Sequence, residues 1–193
     1  MGLRLSIGLR CGSRLLCGFD HLLLKGLLIM QNARDTFYVT LRDRLAAVNP
    51  ARTMLVRSVV RPGLLVEENE LASANATADV FRLRWTGLRV DAKGALPLVA
   101  MSCEIRYATD GSAGNGGMDR GLLLAGMDAE LVAAINASPQ NAGKMNYLAS
   151  PVVGMVTNVF WGDVAFAAAT VNGERLERMA TVEVFCYQEA GEL

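Results

Sequence analysis

The chain has 193 residues, enough for one domain with a tail, and its 52% hydrophobic and 20% charged content marks a folded globular protein, not a disordered one. Formal net charge is zero, but residues 1–29 carry four basic groups against one acid (+3), leaving 15 basic and 18 acidic groups (−3) in residues 30–193. A mildly acidic remainder argues against nucleic-acid binding, and the sole histidine, His21, leaves everything after it without the commonest acid–base group and metal ligand.

Residues 1–29 are basic early and apolar late. Lys25 interrupts the apolar run, no A-x-A-type cleavage site follows, and the nine residues 22–30 fall short of the roughly 20 that a bilayer span needs. This segment is read as a poorly ordered or mis-assigned leader, with residues 30–193 as a single domain and no membrane contact. Cys11, Cys17 and His21 form a C-x5-C-x3-H pattern that lacks a fourth ligand and zinc spacing. Cys103 and Cys186 sit in apolar runs and are expected to be buried, reduced thiols of a cytosolic protein.

Asn32 is a suitable N-cap, with Asp35 in the following turn. Phe37, Leu41, Leu45 and Val48 then recur on one helical face, and Asn49-Pro50 closes a predicted helix over 32–48. The β-branched run 53–60 predicts a strand, Pro62-Gly63 a turn, and 64–71 a second strand carrying Glu67, Glu68 and Glu70. Small polar residues over 72–79 read as an exposed loop. Residues 81–85 alternate apolar and charged, placing Arg82 and Arg84 on one sheet face. A turn at 91–94 and a strand over 98–108 complete an antiparallel hairpin. Gly111, Gly114, Asn115, Gly116 and Gly117 make the 111–117 segment a flexible connection to a helix over 118–137. Leu124, Met127, Leu131, Ala134 and Ile135 form its buried stripe, and Ser138-Pro139 ends it. Residues 140–150 read as loop, 151–161 as apolar with mixed signals, and 175–188 as a strong final strand. The expected class is α+β: a single mixed, mainly antiparallel sheet with two principal helices packed on one face.

Motifs for chemistry are few. The glycine-rich loop matches neither G-x-x-x-x-G-K-[ST] nor an in-frame G-x-G-x-x-G, and Asp119 would repel an anion from the helix start. There is no G-x-S-x-G, a nucleophilic cysteine would lack a histidine base, and the lysines after the leader, Lys93 and Lys144, fall in turn-like stretches. No catalytic residue, metal ligand or cofactor is assigned, and an enzyme is not expected. Contact chemistry is better represented. Arg82, Arg84 and Arg89 flank Trp85, while Phe160 and Trp161 form an aromatic pair. Phe185 and Tyr187 lie opposite a strand face that is already apolar.

The order helix, two strands, long hairpin, loop, helix and closing strand, with RDTFYVTLRDRLAAV near the front and ERMATVEVFCYQE near the end, resembles the phage tail-terminator or tail-completion family, including members from contractile injection systems. The resemblance covers about 30–189 and rests on organisation, with no signature motif. It implies a non-catalytic subunit of a homo-oligomeric ring, commonly a hexamer. Such a ring caps the tail tube, meets connector or sheath proteins, and is made in the cytoplasm for incorporation into a virion or phage-like particle. On that reading Arg82, Arg84, Trp85, Arg89, Glu67, Glu68, Glu70, Phe185 and Tyr187 are candidate subunit contacts. The acidic strand would meet the arginines of the next subunit, and Gly111, Gly114, Asn115, Gly116 and Gly117 would face the lumen or a partner. Two alternatives stay open: a small-ligand-binding or enzymatic domain using the 111–117 loop, and another component of the same machine, such as a baseplate or connector protein.

Overall fold

The computed structural model describes residues 19–68 and 77–189, with side chains from residue 31 onward. Helix α1 runs Phe19–Val48, so it begins well before the expected 32 and Asn32 is no cap. Asn32 lies inside the helix, buried, and its carbonyl accepts a bond from Thr36 Oγ1 at 2.7 Å. A cap-like side chain carries no stop signal, and no proline interrupts the residues before it. Ala33, Phe37, Leu41 and Leu45 form the buried stripe, which therefore starts one turn early. Val48, expected on it, is 43% exposed where the helix ends.

The run expected as one strand over 53–60 is instead a hairpin: β1 (Thr53–Val56) and β2 (Val59–Pro62) pair antiparallel around Arg57-Ser58. Both turn residues have positive φ, 49° and 67°, as a type I′ turn requires. Strand β3 is only Leu64–Val66, and a turn at Glu67-Glu68 follows it instead of continued strand. The predicted 64–71 strand and 72–79 loop otherwise fall largely on residues 69–76, outside the described residues. Strands β4 (Phe81–Asp91) and β5 (Leu98–Thr109) form the expected antiparallel hairpin, and β3 joins β4 in parallel. Helix α2 (Arg120–Ile135) buries the five residues assigned to its stripe.

Residues 140–150 are not all loop: β6 (Asn141–Asn146) pairs with β7 (Val153–Trp161). Short β8 (Ala165–Phe166) and β9 (Thr170–Asn172) precede β10 (Arg175–Tyr187). The eight-stranded sheet runs β3-β4-β5-β10-β7-β6, with β8 and β9 also pairing to β10. It is mixed, mainly antiparallel, and the fold is α+β.

The core lies between the helices and one sheet face. Val99, Met101, Cys103, Ile105 and Tyr107 of β5 meet Ala180, Val182, Val184 and Cys186 of β10 there, together with the stripes of α1 and α2. Strand alternation turns the intervening residues to the opposite face. Phe37 anchors α1 edge-on between Trp85 (5.9 Å) and Trp161 (5.5 Å). Arg44 stacks 5.0 Å over Trp161 and donates to the carbonyls of Ala134, Ala137 and Pro139 at 3.1, 3.0 and 2.6 Å. It thereby satisfies one acceptor in the last turn of α2, Ala134, and two in the segment that leaves it.

Candidate subunit interface

On β4 and β5 the side chains facing away from the helices form charged rows. Arg82 lies opposite Arg106, and Arg84 opposite Glu104; after a bulge between Trp85 and Gly87, Arg89 lies opposite Ala100 and Asp91 opposite Leu98. β10 extends the rows, with Thr181 beside Glu104, Glu183 beside Ser102, Phe185 beside Ala100 and Tyr187 beside Leu98. Phe160 of β7 lies directly opposite Phe185. The helix-free face is thus charged around Arg82–Glu104 and aromatic around Phe160–Phe185–Tyr187. Phe160 and Tyr187 are 39% and 41% exposed.

The candidate contact residues do not share one fate. Arg84 and Arg89 are exposed and Phe185 is half-buried, all on the helix-free face. Trp85 is not there: it is 9% exposed, packs on Phe37 and lies under the Arg34 guanidinium at 5.3 Å. The alternation that sends Arg82 and Arg84 outward sends Trp85 inward, so it is a core residue. Trp161 is likewise core, donating Nε1–H to the Ile135 carbonyl at 2.9 Å. Glu67 approaches Arg82 of its own chain at 3.7 Å, and Glu68 accepts the Trp85 amide at 3.1 Å. Two of the acids expected to reach a neighbouring subunit therefore have partners within the chain. Glu70 lies outside the described residues.

The 111–117 segment is an organised turn, not a loose connection. Gly111, Gly116 and Gly117 have φ of 79°, 57° and 76° around a short 3-10 turn at Ala113–Asn115. Asp119 receives the Ser112 amide (2.9 Å), the Ser112 hydroxyl and Asn115 Nδ2 (3.3 Å). The Ser112 hydroxyl and amide bonds hold the Asp119 carboxyl below its ordinary range. The carboxylate is turned to Ser112 and makes no cap bond to α2, and its negative charge at the helix start disfavours an anion there. Nearby, the Arg175 guanidinium grips Asp110 at 2.7 and 2.8 Å and likewise depresses its carboxyl.

Two features were not legible in the sequence. The hairpin of β1 and β2 holds Leu55, Val59 and Val60 at 69%, 62% and 68% exposure. Its turn lacks the Asn-Gly or Asp-Gly signal that would have revealed it. Lys144 is buried, against the turn-like reading: Nζ donates to the Tyr187 carbonyl at 2.6 Å and lies 3.7 Å from Glu189. Burial would raise the Glu189 carboxyl, but bonds from the Thr157 hydroxyl (2.6 Å) and amide (2.7 Å) leave it lowered. A groove of about 310 Å³ opens among Arg82, Arg106, Ala168, Thr170, Glu177 and Met179. A polar cleft of about 20 Å³ beside Asp35 and Glu68 has room for only about a water molecule.

No helix among the described residues is long and apolar enough to cross a membrane. No protein-family model matches this chain, and no curated protein matches it. Among solved structures it is similar to a chain described as "Virion of native gene transfer agent (GTA) particle", with 11% sequence identity and a TM-score of 0.32, the match covering 81% of this chain and 98% of that one.

Proposed function

We propose that the chain is a non-enzymatic structural subunit of a phage-type tail, a terminator or completion protein whose copies close into a ring, commonly of six. The ring would cap the tail tube and join it to connector or sheath proteins in a virion or phage-like particle. The reading rests on the protomer's own surfaces, not on the coarse structural likeness.

The observation that supports it is the sidedness of the sheet. Both helices cover one face, while the other carries Phe160, Phe185 and Tyr187 beside Arg84, Arg89 and Glu183. Large aromatics and arginines grouped on an open face are the composition of an interface centre. A ring needs two different patches on each copy, so that head-to-tail contacts close upon themselves. The 111–117 turn, pinned by Asp119, suits a fixed surface presented to a lumen or partner.

Light scattering with negative-stain imaging of the purified full chain tests this. Closed rings of uniform mass are expected, whereas a monomer at every concentration would remove the reading. The groove beside Arg82 and Arg106 supports a second reading, a small-anion site. Thermal stabilisation by a nucleotide or by inorganic phosphate would favour it, because a ligand of the folded state raises the melting temperature.

A further inference from the structure

The β1–β2 hairpin forms a two-stranded sheet separate from the large one and rests against α1 through β2. Residues opposite one another in an antiparallel pair share a face. Met54 and Arg61 are opposed and half-buried, whereas Leu55 and Val60 are opposed and open. A hairpin of this size is marginal alone, and exposed β-branched surface on it invites pairing. Its charge has one sign: Arg57 is exposed at the tip, Arg61 follows, and residues 53–62 contain no acid.

The helix-free face carries the complementary features. Phe160 opposite Phe185 and Tyr187 beside Leu98 make an apolar strip, with exposed Glu183 and Asp91 along it and Arg89 across Ala100 from Phe185. We infer that the hairpin of one copy docks on this strip of the next copy, with Leu55 and Val60 against the aromatic rings and Arg57 against Glu183. The occupant is a second copy because the hairpin is wholly basic while the acids on the strip, Glu183 and Asp91, outnumber its one arginine, Arg89. The two patches also lie on different sides of one protomer, the hairpin against α1 and the strip on the face the helices leave open, so a chain cannot satisfy itself. A convex arm meeting a flat receiver is a heterologous contact, the kind that closes rings. The inference rests on the ring reading above and names the surface that makes it.

Charge exchange tests it, read as native mass against concentration. Arg57→Glu alone and Glu183→Arg alone are each expected to raise the concentration needed for assembly about tenfold or more. The double variant is expected to recover much of the loss. Val60→Asp should also dissociate the oligomer while leaving the far-ultraviolet circular dichroism unchanged; if that variant does not fold, Val60→Thr provides the milder equivalent. A wild-type oligomer that is indifferent to all of these, or a double variant no better than its parents, overturns the arm contact and leaves the ring reading standing. A wild-type monomer at all concentrations overturns both.

Discussion

At the scale of single residues, stability is concentrated where a charge has been taken out of water with its partner. Arg52 and Glu130 are 15% and 14% exposed, with Arg52 Nε at 2.6 Å and Nη2 at 2.9 Å from the carboxylate. Asn49 Nδ2 adds a third bond at 2.7 Å, and the same guanidinium lies 5.4 Å over the Phe81 ring. Burial would raise the Glu130 carboxyl, but the Arg52 and Asn49 bonds outweigh it and hold it below 4.5. A depressed carboxylate contributes stability above its unfolded pKa, and that contribution is lost as pH falls through the folded value. Glu130→Gln should therefore cost about 2–3 kcal/mol near neutrality, since it strands a guanidinium with little water around it. The deficit should shrink below about pH 4.5 as the wild type loses its own pairing. Thermal melts of both proteins at several pH values check this, and a constant difference down to pH 3 would count against it.

Backbone strain gives a sharper contrast between neighbouring glycines. A Cβ on Gly117 would lie 2.5 Å from the Arg120 guanidinium at φ +76°, while one on Gly114 would meet nothing within 4 Å. Gly117→Ala should lose at least about 1 kcal/mol, and Gly114→Ala should be neutral or slightly stabilising. Denaturant titration of the pair distinguishes a shaped turn from a slack tether.

At the scale of elements, the end of α2 depends on a residue of α1. Arg44→Ala removes bonds to the Ala134 carbonyl of the last turn and to the Ala137 and Pro139 carbonyls that follow it, together with the stacking on Trp161. It should destabilise the domain by about 2 kcal/mol and speed amide exchange in the last turn of α2. If exchange accelerated evenly through the molecule, the clamp would not be local. The sequence made the packed elements readable because their burial follows a simple period: the α2 stripe, the β4–β5 pair and β10 all lie where periodicity puts them. Alternation also implied that Trp85 points opposite Arg82 and Arg84, yet it was grouped with them by nearness along the chain. What escaped was imposed from outside the local sequence. In β6, NAGKMN has little intrinsic strand preference and is strand because β7 lies beside it. The Arg57-Ser58 turn adopts left-handed backbone without the residues that favour it. The helix-free face was half legible: alternation put Arg84 with Arg82 and set Phe185 and Tyr187 opposite the apolar side of their strand, whereas Arg89 joins that face only through the bulge between Trp85 and Gly87, and the Glu67–Arg82 pairing needed the parallel register of β3 on β4.

At the scale of the whole molecule, β10 is the seam. It pairs with β5 from Leu176 to Tyr187, and along its other edge it carries β9, β8 and β7 in succession. Among the described strands, the β3–β4–β5 half and the β6–β7 half of the sheet are joined by pairing only through it. A strand that is central in space but late in sequence makes contacts of long separation, which slows folding. On the ribosome, the earlier strands must wait for this one to emerge, and until then they expose a row of ungratified amides. Refolding from urea should be slow for a domain of this size, and a chain ending at Gly173 should bind a hydrophobic dye instead of giving a cooperative melt. Recruitment into any larger particle would then be timed by synthesis itself, because an unfinished polypeptide has no completed surface to offer.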